Sequence, residues 1–467
     1  MEDKLLIRVY SVGFGDCIYV RIPDGKDHHF HMLIDCGTSD PAAELIPALE
    51  DVRSMLPVGQ DGKKRLDLLV ATHPHADHIK GFDPEWFEGI QIGRIWLSLF
   101  MKQDHPQAKK MRAFQNLAND ASLALQKRRG LQLSPGVQSL LERSIWNQGA
   151  LQALRTDLAQ ASEIDTEYPL YVARDLADQL SPEDRAQHSL DYEQSTTRFR
   201  GFQEPDTCLR VLSPEWDIDK WYLGKGTFDG HSLLDRYMMQ TEAYQNKPEA
   251  LDAPPAAGEA QAATITPARQ PGNISERDFR LIRNNMLYSA LAFSQKDDKL
   301  KNNLSVVLLL EWCGRRLLFT GDAEWQGSGV REGYRNSTWD VMLHLPEVEQ
   351  LLTGEPLDLL KVAHHGSHNG TPFKKGGRED YLVKMVSPDR TQVLVSTIAG
   401  EHGKKNPVPY PSLMKELGQL AANKRRYPND HEETLREVFQ PQRTDLEPPV
   451  MGQEVQYLQV MLDPVSD

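Results

Sequence analysis

Long apolar runs are missing from this 467-residue chain. None approaches the roughly 18 uninterrupted apolar residues of a spanning helix. The start, Met1-Glu2-Asp3-Lys4, has neither a basic segment nor an apolar stretch behind it, so a cytoplasmic location with no membrane partner is expected. Cysteine is scarce. Cys17, Cys36, Cys208 and Cys313 lie far apart with no C-x-x-C spacing, which argues against a disulfide framework or a cysteine-ligated zinc site and for reduced core residues. Positive charge is also short: 53 Lys and Arg stand against 67 Asp and Glu, a net charge of −14. That excludes a whole-surface grip on nucleic acid, so any phosphate-binding face must be local. The 39% hydrophobic content is ordinary for a globular protein.

The length suits two or three units, or one large domain with insertions. Over residues 1–104, apolar runs at Leu5–Tyr10, Ile18–Ile22, Phe30–Ile34, Leu66–Ala71 and Ile95–Phe100 predict strands, with a helix near Pro41–Met55. Residues 105–200 show helical spacing, as in Met111, Phe114 and Leu117, and predict a helical insertion able to bind a protein partner. Strand signals return at Cys208–Leu212, within a core segment 201–230. Residues 231–300 read as a second insertion, whose stretch 246–273 is rich in Pro, Ala and Gly and predicts a flexible loop. The rest of the core, 301–467, carries strand signals at Ser305–Glu311, Arg316–Thr320, Asp358–Ala363, Gln392–Thr397 and Val455–Leu462, and a helix near Pro411–Leu420. His105 and His231, inside the insertions, are expected at the surface.

The densest chemistry is Leu66-Asp67-Leu68-Leu69-Val70-Ala71-Thr72-His73-Pro74-His75-Ala76-Asp77-His78, a buried-strand pattern that runs into H-x-H-x-D-H. A two-residue period at a strand end throws His73 and His75 to one side, and the following turn can aim Asp77 and His78 at a second point. That spacing suits two metal ions. Two further strand-like runs end in metal-ligand residue types, Arg316–Thr320 before Asp322 and Asp358–Ala363 before His364 and His365.

Other blocks join this one in order: Val12-Gly13-Phe14-Gly15-Asp16, Leu33-Ile34-Asp35-Cys36-Gly37, Val211-Leu212-Ser213-Pro214, Asn302-Asn303-Leu304-Ser305, Phe319-Thr320-Gly321-Asp322 and Lys361-Val362-Ala363-His364-His365-Gly366-Ser367. Together they resemble the metallo-β-lactamase superfamily, and in detail the metallo-β-lactamase-like domain of the competence protein ComEC. The resemblance implies an α/β fold, an αββα sandwich of two mixed sheets with helices outside and a metal site at one edge. It implies His73 and His75 on one metal, Asp77 and His78 on the other, Asp322 bridging, and His364 or His365 completing the second site. Asp35 and Asp16 are expected behind the ligands, with Asn302, Asn303 and Ser367 beside them. Many members carry a histidine where this chain has Lys301, Asn302 and Asn303, and Ser11 and Phe14 stand where the ComEC-like branch often has Asp and Gln.

The expected cofactors are two divalent ions, Zn²⁺ first and Mn²⁺ as the alternative. The expected reaction is hydrolysis of a phosphodiester, with DNA or RNA as candidate substrates, through water activated between the ions. Asp77 and Asp322 would act at the reacting centre, and the loop Gly366–Thr371 would add donors including the His368 imidazole. Two alternatives use the same residues differently: a hydrolase of lactones, thioesters or amides, and a metal-bound interaction module with vestigial catalysis.

Overall fold

The apolar runs become strands wherever side chains on both faces can be buried, and they assemble into two mixed sheets. The computed structural model describes residues 4–41, 45–102, 105–108, 170–174, 199, 202–223, 300–373, 380–397, 407–421 and 457–465. The chain divides into two compact units, and all of these residues lie in the one made of Met1–Ala108, Trp146–Gly224 and Asp298–Asp467.

The first sheet contains β1 (Leu5–Tyr10), β2 (Cys17–Pro23), β3 (His29–Cys36), β5 (Leu68–Ala71), β7 (Ile95–Ser98), β8 (Leu170–Val172) and β14 (Tyr457–Leu462), in the order β14-β1-β2-β3-β5-β7-β8. Its β14 to β3 half is antiparallel and its β3 to β8 half parallel. The second contains β9 (Thr207–Ser213), β10 (Val307–Trp312), β11 (Arg315–Phe319), β12 (Leu359–Lys361) and β13 (Gln392–Leu394), in the order β13-β12-β11-β10-β9, with β11, β12 and β13 parallel. A small parallel pair joins β4 (Lys64–Leu66) to β6 (Ile90–Ile92).

Three clusters of buried apolar side chains hold these elements. One mixes both sheets, with Ile7, Val20, Met32 and Val70 beside Leu308, Leu310 and Leu317. A second packs the helix Ile46–Met55 on the first sheet through Ala48, Leu49 and Val52. A third packs the helices Pro346–Thr353 and Pro411–Leu420 on the second sheet through Val348, Leu352, Leu413 and Leu417. No described helix is long and apolar enough to cross a membrane.

The structure departs from the sequence reading in several places. Leu66–Ala71 is two strands, because the Asp67 carboxylate at the break accepts from the His31 amide at 2.8 Å and from Arg65 Nε at 2.9 Å. The run Ile95–Phe100 leaves the sheet at Ser98 for a 3₁₀ turn, Leu99–Met101. The proposed helical block 105–200 contributes β8, which extends the first sheet by pairing with β7. Its Phe199 is buried against Phe30 and Trp96. His105 is buried against Trp216, with ring centroids 4.6 Å apart, rather than at the surface. Cys17, Cys36 and Cys208 are buried and Cys313 is partly so. The loop 246–273 and His231 lie outside the described residues.

One buried ion pair ties the sheets together across 345 residues of sequence: Lys361 Nζ, at the end of β12, donates to Asp16 Oδ2 before β2 at 2.8 Å. Both side chains are 1% exposed. Removing one member strands the other charge in the core, so Lys361→Met should lower the unfolding free energy by about 3–5 kcal/mol. Urea denaturation of the variant and of Lys361→Met/Asp16→Asn checks this, with the double variant recovering part of the loss; an unchanged midpoint in the single variant contradicts it.

Candidate metal centre

The H-x-H-x-D-H run begins two residues past β5, and His75 caps a single helical turn, Ala76–Ile79. The turn lies against the end of β3, where a Cβ on Gly37 would sit 2.3 Å from both Asp77 C and His78 N. Only glycine permits that approach. Asp322 follows β11 through Gly321, whose φ of +48° and closeness to Thr72 again need glycine. Backbone bonds from Val306 N to Thr72 O (2.9 Å) and from His364 N to Gly321 O (3.1 Å) bring three strand ends into one edge.

At that edge the carboxylate of Asp322 is shared between two sets of side chains. Its Oδ2 lies 3.6 Å from His73 Nε2, and His73 Nε2 lies 2.9 Å from His75 Nδ1. Its Oδ1 lies 3.2 Å from His78 Nε2 and 3.8 Å from His365 Nε2, and His365 Nε2 lies 3.4 Å from Asp77 Oδ2. His73, His75 and Asp322 thus form one convergent group, and Asp77, His78, Asp322 and His365 another. Asp77, with its side chain 17% exposed, opens the second group to solvent.

Supporting groups fix which ring nitrogens face inward. Thr72 Oγ1 donates to Asp35 Oδ2 at 2.7 Å, so it accepts from His73 Nδ1 at 3.1 Å and leaves Nε2 facing the site. His78 Nδ1 bonds Asp35 Oδ2 at 2.8 Å, and His365 Nδ1 bonds the Ser396 carbonyl at 3.0 Å, with the same result for their Nε2 atoms. Asp16 receives Lys361 and the Ser396 hydroxyl, and its Oδ1 stands 3.7 Å from His365 Nδ1.

The charges are strongly coupled. Burial, then the neighbouring His78, pushes His73 well below the usual histidine range. Burial opposes protonation of His78 too, but Asp322 and Asp35 outweigh it and raise its pKa well above the usual value. His365 is raised against burial by Asp322 and Asp77. Burial would lift Asp322, yet His78, His364 and His365 hold it well below the ordinary carboxylate range. Asp16 is lowered against burial chiefly by Lys361, whereas burial raises Asp35 despite His78.

The remaining expected residues divide. His364 stands beside the first group rather than within it, with Nε2 3.9 Å from Asp322 Oδ2. Asn302 and Asn303 both donate to Glu324, at 3.2 and 3.3 Å, and Asn303 also anchors Thr338. Ser367 is buried with its hydroxyl on Asn369, and His368 packs edge-on against Tyr410; neither lies in a convergent group. Four participants were not singled out from sequence. Lys361 had a signal, as the first residue of its motif block. Thr72, Glu324 and Ser396 had none beyond proximity to strand ends, because their partners are set by tertiary packing.

The second group fits a divalent cation. His78 Nε2, His365 Nε2 and Asp322 Oδ1 are buried without a hydrogen-bond partner among the described residues, although they approach one another to 3.2–3.8 Å. Two ligands of a tetrahedral Zn²⁺ with bonds of about 2.0–2.1 Å stand about 3.3–3.4 Å apart, so such spacing without mutual hydrogen bonds is what a ligand set requires. The donors are imidazole and carboxylate, the types that zinc and neighbouring transition ions accept.

Comparison with known proteins places the same segment. No curated protein matches the chain. Residues 10–84, which carry Asp16, Asp35, His73, His75, Asp77 and His78, match the family model of the metallo-beta-lactamase superfamily, whose members are generally metal-dependent hydrolases.

Proposed function

We propose that the chain is a dinuclear metallohydrolase of the αββα type that cleaves phosphodiesters, as a phosphodiesterase or a nuclease of the ComEC-like branch. His73 and His75 hold one cation, Asp77, His78 and His365 hold the other, and Asp322 is shared. The observation that carries this reading is the division of Asp322, whose two oxygens each face a different set of imidazoles. Three apolar clusters, one drawn from both sheets and two beneath helices, support the layered architecture.

Two cations there, Zn²⁺ or Mn²⁺, would supply hydroxide near neutral pH and offset charge on the ester oxygens. The protein's own part is to fix the ligands and shape the approach. Asp35 holds the His78 ring, Thr72 the His73 ring, and the Ser396 carbonyl the His365 ring. Phosphodiester is favoured over other esters by the ordered blocks Asn302–Ser305, Phe319–Asp322 and Lys361–Ser367, whose ends meet at this one edge, and by the donor-rich loop that follows His365. The net charge of −14 leaves nucleic acid to local basic segments.

The test is a screen of the purified chain, loaded with Zn²⁺ and separately with Mn²⁺, against single-stranded DNA, duplex DNA, RNA and a chromogenic phosphodiester. Metal-dependent cleavage of at least one is expected, and His75→Ala/Asp77→Ala should bring it to background while circular dichroism is unchanged. A fully loaded preparation that spares every phosphodiester but turns over lactones or thioesters moves the reaction class; inactivity on all of them supports an interaction module.

Asp35→Asn, which weakens the support of His78, should cost about 10–100-fold in metal affinity, measured by competition with a chromogenic chelator. An unaltered affinity would remove Asp35 from the centre.

The pH dependence follows from the histidines. Because Asp322, Asp35 and Asp77 favour the protonated forms of His78 and His365 in the metal-free chain, a cation must displace those protons. Affinity should therefore rise with pH. Calorimetric titration with Zn²⁺ in buffers of different ionisation enthalpy should detect net proton release, and uptake or no exchange contradicts the assignment.

A further inference from the structure

The two convergent groups are unequal, three side chains against four. Asp322 is common to both, so the first has only His73 and His75 of its own. The nearby segment Lys301–Asn303 supplies no imidazole. What stands at the open flank of the first group is His364. Its Nε2 lies 3.9 Å from Asp322 Oδ2, the same oxygen that His73 Nε2 faces at 3.6 Å. Its Nδ1 is buried with no hydrogen-bond partner among the described residues, 3.8 Å from Glu324 Oε1. Between them sits Asn302, 5% exposed, whose amide nitrogen is 3.2 Å from Glu324 Oε1 and 3.3 Å from His364 Nε2, and whose Oδ1 has no partner among the described residues.

We infer that His364 is the further ligand of the first cation, with Glu324 as the carboxylate behind its Nδ1, so that the adjacent residues His364 and His365 serve different metal ions. The inference rests on the dinuclear reading above and decides how its ligands divide. The arrangement is a looser form of that at His78, whose Nδ1 bonds Asp35 at 2.8 Å and whose Nε2 lies 3.2 Å from Asp322; the corresponding distances at His364 are 3.8 Å to Glu324 and 3.9 Å to Asp322, and its Nε2 accepts from the Asn302 amide at 3.3 Å. It also gives a reason for the backbone. His364 and His365 both adopt left-handed conformations, with φ of +50° and +52°. Such a conformation is costly for any residue other than glycine. Two in succession make a corner after β12 that sets the rings 6.5 Å apart, with 66° between their planes. One ring then faces Asp322 Oδ1 and the other faces Oδ2. Glycine would relieve the strain at either position, and imidazole stands at both.

The experiment is a Co²⁺ titration of the full chain followed by visible absorption, with Zn²⁺ affinities from chelator competition. The variants are His364→Gly, His365→Gly, Glu324→Gln, His73→Ala and two doubles, His364→Gly/His73→Ala and His364→Gly/His78→Ala. Glycine relaxes both left-handed positions, so folding is preserved, and circular dichroism checks it. The wild-type chain should bind two Co²⁺. His364→Gly should weaken one of them at least roughly tenfold, Glu324→Gln should weaken the same one less, and His365→Gly should weaken the other. His364→Gly/His73→Ala should still bind one ion as His73→Ala does, because both changes strike the same site, whereas His364→Gly/His78→Ala should impair both. Two ions bound by His364→Gly with wild-type affinity and spectrum would overturn the inference while leaving the dinuclear reading intact. Loss of the same ion from His364→Gly as from His365→Gly would also overturn it. A wild-type chain that takes up fewer than two Co²⁺ ions sinks the dinuclear reading, and the inference with it.

Discussion

The pairing of Asp16 with Lys361 is the constraint on which the rest of the edge depends. It joins the loop before β2 to the end of β12 inside the core, where a lone charge would be too costly to keep. Asp16 does more than neutralise a lysine. Its amide donates to Asp77 O at 2.9 Å, its carbonyl accepts from Gly37 N at 2.9 Å, and its carboxylate receives the Ser396 hydroxyl. The turn that bears Asp77 and His78, the end of β3 that bears Asp35, and the segment after β13 that holds His365 are thus referred to a single residue. Side chains supplied by strands hundreds of positions apart need such a common anchor to meet within a few ångströms.

Strain and buried charge gather at the same edge. Among the described residues, the non-glycine positions with positive φ are Asp27, Asp35, Cys313, His364 and His365, and three of these five belong to the candidate centre. Asp16, Asp35, His73, His78, Asp322 and His365 are all buried. A fold selected only for stability has no use for this concentration of imidazoles and carboxylates, and left-handed backbone at these positions is strain held in place by the surrounding packing. The arrangement makes sense as a ligand cage.

Much of this could be read in the sequence, for reasons that differ from element to element. The strand Leu5–Tyr10 and the helix Pro411–Leu420 have the expected bounds, because an unbroken apolar run and a proline start with helical spacing are local signals. β8 is not legible in the sequence, because three residues at the edge of a parallel sheet carry no period of their own inside a helix-like stretch. The run Leu66–Ala71 reads as one strand, because the break at Asp67 comes from a bond to β3 that sequence spacing does not reveal. The H-x-H-x-D-H residues were legible as a set because they are contiguous. Which oxygen of Asp322 each of the two adjacent histidines faces was not, since it follows from the corner after β12. Likewise, Glu324 and Ser396 acquire a role only from what packs against them.

The central proposal is that Asp322 is shared by two cations. The direct measurement is a crystal structure of the Zn²⁺-loaded chain with anomalous difference maps on either side of the zinc edge. Two peaks about 3.5–4 Å apart, with one Asp322 oxygen directed at each, are the predicted result. A single peak, or two peaks with both Asp322 oxygens on one ion, would contradict it.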